Sequence, residues 1–398
     1  MAPAMHDRPL IRLNPGADRR IKAGHPWAFS NEIAMTPAAR AIPPGSAVRL
    51  EGDDGARQGA WHFNPHSLIA ARRLDPDPAA PLDAGWFRAR LAACLALRER
   101  LFDAPHYRLV HAEADGLPGL VVDRYGDALA VQANTAGMDR ASPEILAALR
   151  DLLNPRVVVA RNDSGVRRLE GLEETVTLLQ GEDGKAEVRE AGLTFPVDLL
   201  GGQKTGWFFD QRPNRALVAR LAQGRSVLDA FCHLGGFGLA AAQAGAREVT
   251  LLDRSEHALE LAMAAASRAG LADRVTPLKA EAMEHLERMI ASGRRFDVVV
   301  ADPPAFAKTR KDIPAATRGY AKLARLAASV TVPGGILFIA SCSHHVGVAE
   351  FADAVAWGVG RARRGSRILA TVGAGPDHPV HPALPESAYL KGQLLALD

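Results

Sequence analysis

Four carboxylates and one thiol stand at the ends of apolar runs in the second half of the sequence. The run VLDAFCHLGGFG (227–238) carries Asp229 ahead of Gly235 and Gly236, with Phe231 and Cys232 between them. The glycines let the backbone turn sharply and approach a ligand, and Asp229 can accept a hydrogen bond from a cationic amine. The run EVTLLD closes on Asp253, 24 residues beyond Asp229. An acid there can accept from both hydroxyls of a ribose, or it can cap the helix that begins near Ser255. Glu281, followed by Ala282, suits an adenine or ribose contact. It also suits a plain first-turn acid facing the helix dipole. The most specific end is ADPPAF (301–306), where Asp302 precedes two prolines that fix φ and cannot donate to a ladder. A carboxylate held there can bond the amidine-like edge of a nucleobase. Finally, GGILFIASCS brings Cys342 to the same predicted edge as Asp302. A lone cysteine is more often a small buried hydrophobe. Its place beside the ligand edge favours a nucleophile.

These residues need a scaffold that collects strand ends. From about residue 201 the pattern alternates strands with helices: VLDAF, GLAAAQAG, EVTLLD, SEHALELAMAAASRAG, VTPLKA, AMEHLERMIASG, FDVVVADPP, RGYAKLARLAASV and GGILFIASCS. Such alternation predicts a parallel, doubly wound α/β sheet with right-handed crossovers. Ligands bind such sheets outside the strand C-termini, where the strand order reverses. The glycine turn is not a GxGxxG fingerprint, which weakens a dinucleotide-dependent oxidoreductase.

The first 75 residues read differently. VRLEGDDGAR, QGAWHFN and SLIAARRL are short strands with an Asp-Gly turn, which suits a small β-barrel. DPDPAAPLDAG (75–85) reads as a linker. Residues 86–180 combine a helix over 86–102, strands at LVHAEA, LVVDRYGD, ALAVQAN and VVVARND, and the helix SPEILAALRDLLN with Ser142 as its expected N-cap. The expected divisions are 1–75, 76–200 and 201–398.

Composition is that of an ordinary globular protein, with 47% hydrophobic and 23% charged residues. No apolar run reaches membrane-spanning length, and MAPAMHDRPL lacks the apolar core of a secretory signal. Three dispersed cysteines, Cys94, Cys232 and Cys342, suggest neither a disulfide framework nor a zinc site, so no metal and a reducing cytoplasm are expected. The net charge is +3 over 1–75, −6 over 76–200 and +6 over 201–398. Basic ends around an acidic middle are compatible with a polyanion held at both ends.

The ordered motifs HPWAFSNEI, FNPHSLIAAR, HAEADGLPGLVVDRYGD, GGQKTGWFFDQRPNR, DAFCHLGGFG, ADPPAFAKTRKD, RGYAKLARLA, ASCS, DHPV and YLKG run through nearly the whole chain. Together they resemble the bacterial class I S-adenosylmethionine-dependent family that methylates cytosine C5 of large-subunit rRNA and carries an N-terminal PUA domain. The resemblance implies a Rossmann-like domain with a seven-stranded sheet and a reversed last strand, here YLKGQLLAL. It implies a PUA-like RNA-binding domain at 1–75 and a central α+β domain at 76–200. S-adenosyl-L-methionine is the implied cofactor. Phe209, Asp210, Gln211 and Arg212 would cover it. Asp229, Phe231, Gly235 and Gly236 would form the methionine-side turn, Asp253 and Ser255 would lie by the ribose, and Glu281 and Ala282 by the adenine. Asp302 would also border the cofactor. The implied partner is RNA, and a homodimer is left open.

The implied chemistry is covalent. A Cys342 thiolate adds to C6 of cytosine, with Asp302 at N3, and C5 becomes nucleophilic. Many RNA cytosine-5 enzymes carry a second cysteine straight after the double proline. This chain has Ala305, which leaves the C5 proton without an assigned base. For RNA, Lys308, Arg310 and Lys311 begin just beyond the prolines, in an expected loop, Arg318 opens the helical stretch that follows, and Arg12, Lys22 and Trp27 offer a second surface. Two rivals remain: methylation of an exocyclic amine or another rRNA base without a thiol, and a non-catalytic RNA-binding assembly factor.

Overall fold

The computed structural model describes residues 8–202 and 205–398. The MAPAMHD start, and Gln203 and Lys204 of the GGQKTGWFFDQRPNR segment, lie outside the described residues. Internal contacts divide the chain into two units. One holds the residues up to Ala186 with Asp198–Trp207 and Asp377–Pro385; the other holds Glu187–Val197, Phe208–Pro376 and Glu386–Asp398. No described helix is long and apolar enough to cross a membrane.

The first unit contains two five-stranded sheets. One joins Leu10–Arg12, Ser46–Glu51, Arg57–Phe63, Ala71–Asp75 and Trp27–Ala28 in that order. The Asp-Gly turn forms where expected, with Gly52 N–H donating to the Ala56 carbonyl at 2.8 Å. Alternate residues Val48 and Leu50 pack with Trp61 and Phe63 in the sheet's own core. Two details differ from the sequence reading. Leu10–Arg12 adds a parallel strand beside Ser46–Glu51, and the third expected strand starts only at Ala71. The second sheet runs Thr175–Gln180, Val157–Asn162, Ala128–Ala133, Leu120–Tyr125, His106–His111, with helices Ala84–Leu101 and Ser142–Leu153. Ser142 is not the N-cap. It lies inside the helix, and its hydroxyl donates back to the Met138 carbonyl because a preceding turn, Ala136–Arg140, runs straight into it.

The second unit is the expected α/β layer. Its strands are β1 (Ser226–Ala230), β2 (Glu248–Asp253), β3 (Val275–Lys279), β4 (Phe296–Ala301), β5 (Thr331–Ser341), β6 (Ser366–Val372) and β7 (Lys391–Leu397). They form one sheet in the order β3-β2-β1-β4-β5-β7-β6. The first five are parallel, and β7 runs antiparallel to both β5 and β6. The last strand is therefore reversed, as the resemblance implied. The helices are α1 (Arg212–Ala219), α2 (Gly236–Gln243), α3 (Glu256–Arg268), α4 (Ala282–Ala291), α5 (Ile313–Ser329) and α6 (Val348–Arg361). β1 is buried at every position because layers cover both faces of the parallel strands. The order reverses between β1 and β4, so Asp229, Asp253, Asp302 and Cys342 all stand at or just beyond the C-terminal ends of their strands.

Candidate active site

The turn after β1 is tightly wound. Phe231 and His233 take left-handed φ of 63° and 50°, followed by Gly235 at 74°. Two non-glycine residues in that region are costly and persist only where other bonds hold them. Those bonds come from β2: Cys232 N–H donates to the Leu252 carbonyl at 3.2 Å and His233 N–H to Asp253 Oδ2 at 2.9 Å. α2 then starts at Gly236 and presses on the sheet. A Cβ at Gly238 would meet Leu251 Cδ2 at 2.4 Å. That closeness lets Gly238 N–H donate to Asp229 Oδ2 at 2.7 Å.

Asp229 is 1% exposed. Burial, then the neighbouring charges of Asp302 and Asp253, push its carboxyl up to about 7, against the pull of the Gly238 N–H. Asp253 is half-buried and also accepts Ser255 N–H through Oδ1 at 2.8 Å, while the Ser255 hydroxyl caps α3 through Ala258 N–H. Ser255, not Asp253, is thus the cap of α3, and Asp253 Oδ2 points back to the glycine turn. Glu281 is exposed at the N-cap position of α4 without a side-chain cap bond, and Ala282 behind it is buried.

Asp302 is held from α1's side. Gln211 Nε2 donates to Asp302 Oδ2 at 2.9 Å, and Asn214 Nδ2 fixes Gln211 by donating to its Oε1 at 2.6 Å. Phe209, Asp210 and Gln211 form one buried turn, and the Arg212 guanidinium stacks over Phe209 at 5.5 Å. Arg212 and Arg215 both bond Glu190, whose carboxyl is held below the usual range by the two guanidinium groups despite its burial. Asp210 Oδ2 accepts the Tyr389 hydroxyl at 2.5 Å, and Tyr389 stacks on His344 at 4.9 Å.

The three cysteines differ sharply. Burial pushes the Cys94 thiol up to about 12 and Cys232 well above its usual value, with Asp229 adding to the latter. Cys342 is only half-buried. Its S–H lies 3.9 Å from the Pro303 carbonyl, directly on the Asp302-Pro303-Pro304 strand end. A hydroxyl cluster braces it: Tyr320 OH meets Ser341 Oγ and Ser343 Oγ at 2.8 Å each, and Ala307 N–H donates to Ser343 Oγ at 3.3 Å. RGYAKLARLA and YLKG stand among the ordered motifs of the sequence, with no role assigned there to Tyr320, Tyr389 or Lys391. A lysine opening an otherwise apolar strand, as in KGQLLAL, was the available signal.

The basic candidates fall into two groups. On the first unit they are spoken for: Arg12 pairs with Glu51, Lys22 with Asp18 and Asp54, and the Trp27 indole N–H donates to Glu113 at 2.8 Å. On the second unit Lys308, Arg310, Lys311 and Arg318 are exposed, and none forms an ion pair among the described residues. The expected loop is partly a single 3-10 turn, Arg310–Asp312. Asp312 is used up inside it, accepting from the Lys308 and Thr309 N–H groups.

Residues 143–364 match the family described as S-adenosylmethionine-dependent methyltransferase, and residues 11–76 match a PUA-like domain. Ribosomal RNA large subunit methyltransferase I of Shewanella denitrificans is 36% identical, covering 96% of this chain and 98% of its own. The protein of that name from Aeromonas hydrophila is 36% identical with the same coverage, 96% and 98%. The chain belongs to the ribosomal RNA large subunit methyltransferase I family. The crystal structure of SMU.776 complexed with SAH shares its fold, with a TM-score of 0.82 over 98% of this chain and 99% of that one, at 20% identity. S-adenosyl-L-methionine is therefore the cofactor of this family member. The site fits it chemically. Asp302 and Asp253 lie close enough to Asp229 for their charges to help push its carboxyl up, and a ligand bearing sulfonium and ammonium charge would relieve that crowding.

Proposed function

We propose that this enzyme methylates C5 of a cytosine in large-subunit rRNA, with Cys342 as covalent nucleophile and Asp302 at N3. The observation that carries the reading is the contact between the Cys342 thiol and the Pro303 carbonyl, which joins the one half-exposed cysteine to the Asp-Pro-Pro strand end. The relatives' names supply the rRNA substrate.

C5 of cytosine is a weak nucleophile. A Cys342 thiolate forming a bond to C6 pushes electrons toward C5 and N3, and Asp302 shares a proton with N3 as charge develops there. Once C5 has taken the methyl group, its proton passes to a base from solvent and the C6–S bond breaks, which restores the aromatic ring and the thiolate. S-adenosyl-L-methionine, when bound, supplies an electrophilic methyl group. Asp229, with Phe231, Gly235 and Gly236, holds its cationic amino-acid end; Asp253 and Ser255 hold the ribose; Glu281 and Ala282 flank the adenine. Phe209, Asp210, Gln211 and Arg212 close over it, and Gln211 keeps Asp302 aimed. Lys308, Arg310, Lys311 and Arg318 take RNA phosphates while the base is extruded. Arg12, Lys22 and Trp27 belong to a PUA-like RNA-binding module at 1–75, which a central module at 76–200 links to the catalytic module at 201–398. The protein works in the cytoplasm, where its three free thiols stay reduced.

The deciding experiment pairs Cys342→Ala with trapping on RNA containing 5-fluorocytosine. Wild-type protein should form a stable adduct that survives denaturation, and Cys342→Ala should lose both adduct and turnover. Turnover retained by Cys342→Ala overturns the covalent reading in favour of methylation without a thiol. Mapping rRNA nucleotides by mass in cells with and without the protein identifies the target base.

A further inference from the structure

A buried ammonium stands beside the Cys342 turn. Lys391 opens β7, is 4% exposed, and sits directly opposite Ser341 in the antiparallel ladder with β5. Its Nζ donates to the Ser343 carbonyl at 2.5 Å and to the Tyr389 carbonyl at 3.0 Å. An ammonium has three donors, so these bonds leave one unfilled. No carboxylate lies within ion-pair distance of it among the described residues. Burying a lysine with only neutral partners is costly and needs an anion or a function to explain it. The anionic groups that act on it are Cys342 and, more weakly, the exposed Glu350 on α6. Burial pulls the lysine below its usual value, yet ionisation of the thiol pulls it back up.

We propose that Lys391 is the positioning residue for Cys342: its ammonium anchors the 341–343 turn through the Ser343 carbonyl and supplies the positive charge against which the thiol ionises. This rests on the reading of Cys342 as nucleophile. The thiol proton leaves to solvent on the open side of Cys342, and Lys391 keeps its own three protons, so the pair becomes ammonium and thiolate. Among the described residues, the other titratable groups near this turn are a phenol, acids and a histidine. Tyr320 from α5 is buried and pushed up, and so stays a neutral phenol. Asp302, next to the proline whose carbonyl faces the thiol, is an acid and opposes thiolate formation, while Glu350 on α6 acts on Lys391 and Asp210 is bonded to Tyr389. His344 lies against the Tyr389 ring.

The test is the pH dependence of Cys342 alkylation by iodoacetamide, read by peptide mass spectrometry so that Cys94 and Cys232 are separated. Wild-type Cys342 should titrate below the free-thiol value of about 8.5. Lys391→Met should raise its midpoint by roughly one pH unit, slowing alkylation about tenfold at pH 7, and Lys391→Arg should restore most of the rate. An unchanged profile in Lys391→Met, with S-adenosylmethionine affinity intact by calorimetry, overturns the assignment. Loss of RNA affinity without any change in the thiol also overturns it and gives the ammonium to the RNA backbone. Should Lys391→Met fail to fold, the wild-type titration still decides, because a midpoint at or above the free-thiol value refutes the proposal. The two readings separate cleanly. A depressed thiol midpoint without a 5-fluorocytosine adduct refutes covalent catalysis and keeps Lys391. An adduct with an ordinary thiol midpoint does the reverse.

Discussion

Gln211 donates to Asp302 across 91 positions of sequence, and its own orientation is set by Asn214, which bonds Gln211 Oε1 at 2.6 Å and the Gly373 carbonyl at 3.0 Å. With its oxygen claimed by Asn214, Gln211 can offer Asp302 only its amide hydrogens. A neutral donor aimed at one carboxylate oxygen steadies that oxygen.

Replacing Gln211 with alanine should therefore lower turnover by about 10–100-fold, the worth of a hydrogen bond to a charged group at roughly 1.5–3 kcal/mol, with little change in melting temperature. Gln211→Glu should be worse, since it sets a second carboxylate against Asp302. Its deficit should shrink as pH falls, because protonating either acid removes the repulsion. Steady-state kcat between pH 5.5 and 8.5 checks both statements, and an equal deficit at every pH would refute the charge argument.

Asp229 should make cofactor binding pH-dependent. Its carboxyl in the free protein sits at about 7, above the 3.8 of an ordinary aspartate. A cationic ligand prefers the carboxylate, so affinity for S-adenosylmethionine should rise as pH increases toward 7, by up to about tenfold per unit, and flatten above it. Binding at pH 6.5 should release a fraction of a proton, visible in calorimetry as a heat that varies with buffer ionisation enthalpy. The sign for folding is the opposite. A carboxyl raised on folding binds its proton more tightly in the native state, so the cofactor-free protein should lose stability as pH climbs from about 4 to about 7. Asp229→Asn should remove both dependences.

The unpaired cations beyond the double proline should dominate salt-sensitive RNA binding. Changing Lys308, Arg310 and Lys311 together to alanine should weaken RNA binding and flatten the slope of log K against log salt by about 0.7 per lost phosphate contact. Lys22→Ala should do much less. Its ammonium is already bonded to Asp18 and Asp54, which hold its proton more tightly than usual, and those acids would face the RNA once it was gone. Equal slopes for the triple variant and wild type would remove this segment from the RNA interface.

The sheet was legible because β1, β2, β4 and β5 are apolar runs followed by helices, and parallel strands buried on both faces demand that pattern, whereas β3, an exposed edge strand, was legible only from its place between two helices. The strand ends followed from topology, which is why Asp229, Asp253, Asp302 and Cys342 could be placed on one edge before any coordinates. β6 was missed for the complementary reason. It is an edge strand, Ile368 and Leu369 are 57% and 52% exposed, and no alternation marks it. Ser142 misled because Ser-Pro-Glu is a good helix start in isolation, whereas here a short helix already precedes it. The partners that tune the site were invisible for a different reason. Asp210 with Tyr389, Gln211 with Asp302, and Lys391 with Ser343 are separated by 179, 91 and 48 positions, and no local pattern encodes such pairs.

Tyr320 links helix α5 to the 341–343 turn, and Tyr320→Phe isolates that link. The ring would keep its stack on Phe306 at 4.6 Å and its edge contact with Phe351 at 5.3 Å, so packing is preserved. Only the hydroxyl is lost, which leaves the buried Ser341 and Ser343 hydroxyls each short of a partner. Two buried hydroxyls that each lose one partner should cost about 1–3 kcal/mol of stability, measured by urea unfolding. The Ser343 hydroxyl also receives the Ala307 N–H from the loop after the prolines, so its loosening should carry through to the distance between Cys342 and Pro303. Turnover should therefore fall more than S-adenosylmethionine affinity does. Ser343→Ala should produce the same pattern, and the double variant should be less damaging than the sum, because both changes break one shared bond. Strict additivity would mean that the two hydroxyls act separately and that Tyr320 does not position the thiol.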